Sequence, residues 1–263
     1  MARIEEINEK NKLSIIAILK SDIIKHVFAI YDIQNDPQHT ITYAAFENGE
    51  LEGYILIYTA ADVPSVILEC EDKVAGELLE HAPSSKFIVH APPNLLPAIK
   101  KRFPDAKHYV EDWMLIRKNE ARFFESGLVR RLRTEEDALK LADLLLSRKD
   151  RPPNTLRKYA EWIGKMPIYG VFEEDQLVSY AGSFIQLPQV WLIGGVYTDP
   201  EQRNKGYATL ATSAITEEAL RTADAAALFA RSDNHPAIRA YGKIGFRKIG
   251  EKVWVDVATG LKP

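Results

Sequence analysis

The chain is poor in reactive sulfur. Its 263 residues include one cysteine, Cys70, so an intrachain disulfide and a cysteine-based metal centre are both excluded. Cys70 ends the run Ser-Val-Ile-Leu-Glu-Cys, which reads as a strand. No basic neighbour would lower its pKa, so an inert buried thiol is expected rather than a nucleophile. The six histidines show no His-Glu-x-x-His or comparable ligand spacing, and no metal is expected. A Gly-x-Ser-x-Gly elbow is also absent, which leaves serine chemistry without support. Apolar runs such as residues 54–61 are too short to span a bilayer. The start, Met-Ala-Arg-Ile-Glu-Glu, lacks the charged-then-apolar layout of a secretory signal. No membrane association is therefore expected, and the cytoplasm is the expected compartment. Lys and Arg number 34 against 37 Asp and Glu, a net charge of −3, so no basic field points to nucleic acid.

What remains is an ordinary globular balance, long enough for one large domain or two. Ile4, Ile7, Leu13, Ile16, Leu19, Ile23, Ile24 and Val27 recur at helical spacing through residues 1–33. Residues 40–46 and 51–59 read as a hairpin around Glu47-Asn-Gly-Glu50, since Asn-Gly between apolar runs is a strong hairpin signal. A strand at 65–70, a helix at 73–81, a strand at 86–90, a helix at 94–103 and a strand at 107–116 follow. Residues 117–127 are charged and loop-like, and we place a domain boundary there, giving domains 1–118 and 127–263.

The second half starts with a strand at 128–133 and a helix opened by Thr134 and Asp137, a capping-box pair. A helix at 154–164 follows the Pro152-Pro153 breaker. Next comes a hairpin, 168–172 and 177–185, around Glu173-Glu-Asp-Gln176, whose carboxylates read as a solvated tip. The pattern continues with a strand at 190–198, a long helix at 206–223, a buried strand at 226–230, a short helix at 236–242 and a final pair of strands over 246–257. Three collinear matches link the halves. Phe46-Glu-Asn-Gly-Glu-Leu parallels Phe172-Glu-Glu-Asp-Gln-Leu, Pro97-Ala-Ile-Lys parallels Pro236-Ala-Ile-Arg, and Trp113 parallels Trp254. A degenerate tandem duplication is the expected architecture.

One stretch carries chemistry. Val196-Tyr-Thr-Asp-Pro-Glu-Gln-Arg-Asn-Lys-Gly-Tyr-Ala208 leaves a strand, turns at Asp199-Pro200 and opens a helix near Gly206. Such a loop offers unpaired N–H groups and the positive end of a helix dipole to an anion such as a pyrophosphate. Arg203 and Lys205 add charge, and Gly206 and Ala208 permit close approach. Gly194-Gly195 suits a bulge in the preceding strand. The first half lacks the cradle: it runs from Cys70 through Glu71-Asp72 straight to Lys73, and two carboxylates there would repel a phosphate. The nucleotide fingerprints Gly-x-x-x-x-Gly-Lys-Ser/Thr and Gly-x-Gly-x-x-Gly are missing.

Arg203-x-x-Gly206-x-Ala208, preceded by Val-x-x-x-Pro, resembles the acetyl-CoA motif of the GNAT superfamily of N-acetyltransferases. A second signature resembles the same family: Asn234 after a strand, Tyr241 on a short helix, then Gly245-Phe246. The resemblance covers about residues 127–257. It implies a fold of the α/β class: tandem GNAT-like domains, each a mostly antiparallel mixed sheet flanked by helices, with the N-terminal copy degenerate.

The resemblance also implies acetyl transfer from acetyl-CoA, a co-substrate, to a primary amine of a small molecule or peptide by direct attack. Val196 and Thr198 would bond the pantetheine arm, and Arg203, Asn204, Lys205, Gly206, Tyr207, Ala208 and Thr209 the pyrophosphate. Asn234 would contact the cofactor arm while capping its helix, and Tyr241 would protonate the leaving thiolate. The aligned residue of the first half, Arg102, cannot donate a proton in that way. The layout is also similar to glycine N-acyltransferase-like proteins, so another acyl-CoA with an amino-acid acceptor is an alternative, as is a non-catalytic CoA-binding regulator. No carboxylate lies within 190–198, and the general base stays unassigned. Three roles stand open for the first domain: covering the acceptor site, forming a homodimer, or stabilising the fold.

Overall fold

The computed structural model describes residues 2–149 and 154–258; the Pro152-Pro153 breaker lies outside them. The first half runs β1 (Arg3–Glu6), α1 (Lys12–Leu19), α2 (Val27–Asn35), β2 (Thr40–Glu47), β3 (Glu50–Tyr58), β4 (Ser65–Cys70), α3 (Asp72–Leu79), β5 (Phe87–Ala91), α4 (Leu96–Arg102) and β6 (Lys107–Arg117). The second runs β7 (Val129–Arg131), α5 (Glu135–Leu146), α6 (Leu156–Lys165), β8 (Ile168–Glu173), β9 (Gln176–Gln186), β10 (Val190–Thr198), α7 (Tyr207–Thr222), β11 (Ala225–Arg231), α8 (His235–Ile244) and β12 (Arg247–Val257). It is a mixed α/β fold with eight α-helices among the described residues.

The chain divides into two compact units, one formed by Met1–Asp112 with Gly250–Pro263 and the other by Trp113–Ile249. The division falls inside β6, not in the charged loop at 117–127. Strand β12, one continuous strand rather than the expected pair, contributes Gly250 onward to the first unit. The reason lies in pairing: Val253–Val257 of β12 runs antiparallel to Phe87–Ala91 of β5, and a strand belongs to the ladder it bonds.

In the first unit the strand order is β1-β2-β3-β4-β5-β12. One face is packed by α3 and α4: Val74, Ala75, Leu78, Leu79 and Ile99 bury themselves against Ile55, Val66, Leu68, Val89 and Val255. Full burial of the Val, Leu and Ile side chains among these stabilises by roughly 1.5–3 kcal/mol each. The other face meets the region of α1 and α2, where His26 Nδ1 bonds Tyr54 Oη at 2.9 Å and the Phe28 ring stands edge-on to His90 at 6.1 Å. Residues 3–6, expected to be helical, instead form edge strand β1, since Arg3–Glu6 pairs with Tyr43–Phe46 of β2. The Asn48-Gly49 turn forms as expected, both residues left-handed at φ 52° and 87°.

In the second unit the order is β11-β10-β9-β8-β7. Helices α7 and α8 pack on Val171, Val178, Trp191, Ile193 and Leu228. Helices α5 and α6 pack on Leu132, Ile168, Phe172, Leu177 and Tyr180. Thr134 opens α5 with the capping box its spacing predicts. The β8–β9 turn is the same primed type as the first, with Glu174 and Asp175 at φ 45° and 71°.

Candidate functional site

Strand β10 pairs in parallel with β11 from Val190↔Ala225 to Ile193↔Leu228. Among the described residues that pairing stops there, although β10 continues to Thr198 and β11 to Arg231. The two strands part where the sequence places two glycines. Between Gly194↔Gly182 and Tyr197↔Tyr180, β10 spends Gly195 and Val196 against the single residue Ala181 of β9. That extra residue is a bulge, which bends a strand and redirects its free edge. Gly195 takes φ +67°, a left-handed conformation that favours glycine. A Cβ on Gly194 would stand 2.3 Å from Phe184 Cε1, so the Phe184 ring lies directly on that backbone.

Past the bulge, Asp199 N–H donates to the Val178 carbonyl at 3.0 Å. Strand alternation then directs the main-chain groups of Tyr197 toward β9 and those of Val196 and Thr198 toward the open side. Fully buried Ser179 steadies this segment, with its hydroxyl donating to the Tyr197 carbonyl at 3.0 Å. Its one proton is thereby used, so the 2.8 Å contact with Thr198 is donated by Thr198 Oγ1. Arg203 Nε donates to the Thr198 carbonyl at 3.4 Å.

The loop that follows is compact. Asp199 Oδ1 accepts from Glu201 N–H at 2.9 Å, and a short 3-10 turn covers Pro200–Gln202. Asn204 and Gly206 are both left-handed, at φ 66° and 87°. Gly206 caps α7 without any side-chain bond. The N–H groups of Tyr207, Ala208 and Thr209 therefore start a helix with no side chain to satisfy them, the geometry that recruits an anion. Nothing lies within 4 Å of where a Gly206 Cβ would be, so that face is open. Arg203, Asn204, Lys205 and Gly206 are exposed, whereas Tyr207 and Thr209 are buried and offer the loop only their backbone. Lys205 Nζ donates to Gln202 Oε1 at 2.7 Å and stands 5.9 Å from the Tyr207 ring centre.

Asn234 caps α8, its Oδ1 accepting from Ala237 N–H at 3.3 Å. Pro236 in the first turn fits, because its missing N–H would be unpaired there anyway. Tyr241 is 6% exposed, and its ring meets Phe246 at 6.3 Å. Burial pushes its phenol up to about 12. Among the described residues its hydroxyl makes no hydrogen bond, and it is not one of the fully enclosed unpartnered oxygens.

One expectation needs correcting. Glu173 is not part of a solvated tip: its carboxylate accepts the Tyr207 hydroxyl proton. Glu174 and Asp175 are exposed as expected of such a tip, and Asp175 pairs there with Lys140 at 2.5 Å. Ser179 and Glu173 left no signal in the sequence, because both act through a register and a helix placement that only the fold supplies. Cys70 is half-buried, and burial with the Asp72 and Glu71 carboxylates pushes its thiol up to about 12, an unreactive state. Among the described residues no group of three or more His, Cys, Asp or Glu could hold a metal, and no helix is long and apolar enough to cross a membrane.

Residues 168–255 match the family described as FR47-like protein. No curated protein matches the sequence. Solved structures similar in fold include a Drosophila protein at 15% identity and TM-score 0.75, covering 98% of this chain and 99% of that one. A GCN5-related N-acetyltransferase from Kribbella flavida is similar at 13% identity and TM-score 0.65, covering 90% and 96%. A tandem GNAT protein from the clavulanic acid biosynthesis pathway is similar at 13% identity and TM-score 0.61, covering 99% and 100%. The chain thus has the fold of the GNAT N-acetyltransferases in their tandem form, and its residues 168–255 match the GNAT-related FR47-like family in sequence.

Proposed function

We propose that this protein is an N-acetyltransferase that moves an acetyl group from acetyl-CoA to a primary amine, using the second unit alone. The observation that carries the reading is the parting of β10 from β11 after Ile193, with an uncapped helix start at Gly206 beside it. The opening exposes main-chain groups at Val196 and Thr198 that can pair with an amide-bearing arm. The helix start supplies N–H groups for a diphosphate, and the left-handed loop at Asn204 and Gly206 keeps side chains out of its way. Arg203 and Lys205 add cations that are exposed and close by.

The donor supplies a thioester, which an uncharged amine attacks at the carbonyl carbon as the carbon–sulfur bond breaks. The departing thiolate takes a proton. Tyr241 is the donor of that proton, because burial keeps the phenol protonated through the working pH range. A thiolate formed in the same apolar setting is a stronger base than in water, which favours the transfer. The nitrogen loses its own proton to solvent or to a group of the acceptor.

The test is a panel of primary amines and amino acids offered with acetyl-CoA, read by thiol release. Turnover with at least one acceptor supports the reading. Tight CoA binding with no turnover across the panel would mean a non-catalytic CoA-binding protein instead.

A further inference from the structure

Glu173 ends β8 with its carboxylate turned to α7. The proton it accepts belongs to Tyr207, the first residue of that helix and the neighbour of the cap Gly206. Tyr207 is 7% exposed, so its ring is fixed by packing as well as by this bond. The hairpin on which Glu173 stands is itself fixed. Glu174 and Asp175 close it in a primed turn, and Asp175 holds Lys140, which also pairs with Glu136 of α5 at 2.9 Å. Gly206 offers no side chain to direct the helix start. Among the described residues, the side-chain bond that ties the first residue of α7 to the sheet is Tyr207 to Glu173.

We propose that Glu173 is a positioning residue for the donor's diphosphate, acting through Tyr207. This rests on the reading that the donor binds at the start of α7. By holding the Tyr207 ring to the β8–β9 hairpin, Glu173 sets the direction in which the N–H groups of Tyr207, Ala208 and Thr209 point. A carboxylate near an anion site weakens binding when its charge is free. Here the Tyr207 hydroxyl hydrogen faces that charge, and Lys205 stands over the same ring.

The experiment uses the full chain, with CoA binding by titration calorimetry and initial rates against both substrates. Tyr207→Phe and Glu173→Ala are expected to raise the donor KM and the CoA Kd about five- to tenfold, with kcat and acceptor KM changed less than about twofold. Glu173→Gln keeps an oxygen for the Tyr207 proton and should recover most of the loss. The double variant should be no worse than either single one, because both remove one bond. Unchanged CoA affinity in Tyr207→Phe and Glu173→Ala overturns the proposal and leaves the donor reading intact. So does a loss spread equally over donor KM, acceptor KM and kcat that follows a fall in Tm. A wild-type chain that binds no CoA overturns the donor reading, and the proposal with it.

Discussion

The two halves of the chain carry the same order of strands and helices, and they differ most where a donor would enter. In the second, β10 leaves β11 after Ile193, and residues 199–206 form a loop before a 16-residue α7. In the first, the β4–β5 pairing also ends early, at Ile67↔His90, but the turn that follows is short. Glu71 alone separates β4 from an 8-residue α3. Asp72, in the first turn of α3, accepts from Asn94 Nδ2 at 2.6 Å. Lys73 is engaged by Glu47 and Glu52. Glu69 and Lys252, 3% and 7% exposed, pair beneath the surface beside the ended strand. The first unit thus sets charged side chains around a short turn where the second has an exposed loop ending in Gly206; neither helix start has a side-chain cap bond. A duplicated fold can lose an anion site by shortening one loop and placing carboxylates at the helix start, while its core stays packed.

The largest expected effect separates the units by chemistry. Tyr241→Phe keeps the ring and removes the proton. It should lower kcat by about 10²–10³-fold, the scale of one general acid, with CoA affinity unchanged. Arg102→Ala, at the aligned place in the first unit, should leave kcat alone. Because the Tyr241 phenol is pushed up to about 12, loss of its proton should produce no alkaline fall in rate before about pH 10. Equal loss of rate in both variants would end the assignment of catalysis to the second unit.

A smaller effect concerns the cradle. Gly206→Ala meets no atom within 4 Å, so packing does not oppose it, but φ 87° does. An L-residue there costs on the order of 1 kcal/mol and puts a methyl group on the face assigned to the donor. The donor KM should rise about tenfold, with Tm falling a few degrees at most. Calorimetry of the wild type should give one CoA per chain; two would show that the first unit also holds a donor.

The parts of this arrangement that were legible in the sequence are those fixed by local chemistry. Asn48-Gly49, the Thr134 capping box, the Asn234 cap with Pro236, and the glycine pair at 194–195 each act within a few residues, and each appears where its residues imply. What depends on distant partners was not legible. Nothing in Arg247–Val257 announces that its later part pairs with β5, since apolar alternation marks a strand but not its neighbour. Arg3–Glu6 shows the same limit, its edge pairing with β2 overriding a helical spacing of isoleucines. Glu173 looked like any carboxylate in a turn until α7 brought Tyr207 to it.

The smallest effect again divides the units, by acid. The second unit has one histidine, exposed His235, whereas the first holds the half-buried His26 and His90. Burial chiefly, with the Lys25 charge, lowers His26 to about 4, and burial lowers His90 in the same direction. A histidine whose folded pKa lies below its unfolded value near 6.5 resists protonation in the folded state. Its stabilising contribution is present above pH 6.5 and is lost as pH falls toward 4. Asp32 slopes the other way: burial and then the Asp36 charge push it up to about 7, so its contribution is greatest in acid and falls as pH rises from about 4 to 7. The two slopes oppose each other between about pH 4 and pH 7, so single substitutions are needed to separate them. His26→Asn should reduce the loss of stability between pH 7 and pH 5 by on the order of 1 kcal/mol, after allowance for solvent screening of a partly exposed ring. Asp32→Asn should raise stability at pH 7 and have little effect at pH 4. Urea unfolding at the three pH values reads both, and matching pH profiles for wild type and His26→Asn would remove His26 as the source of acid sensitivity.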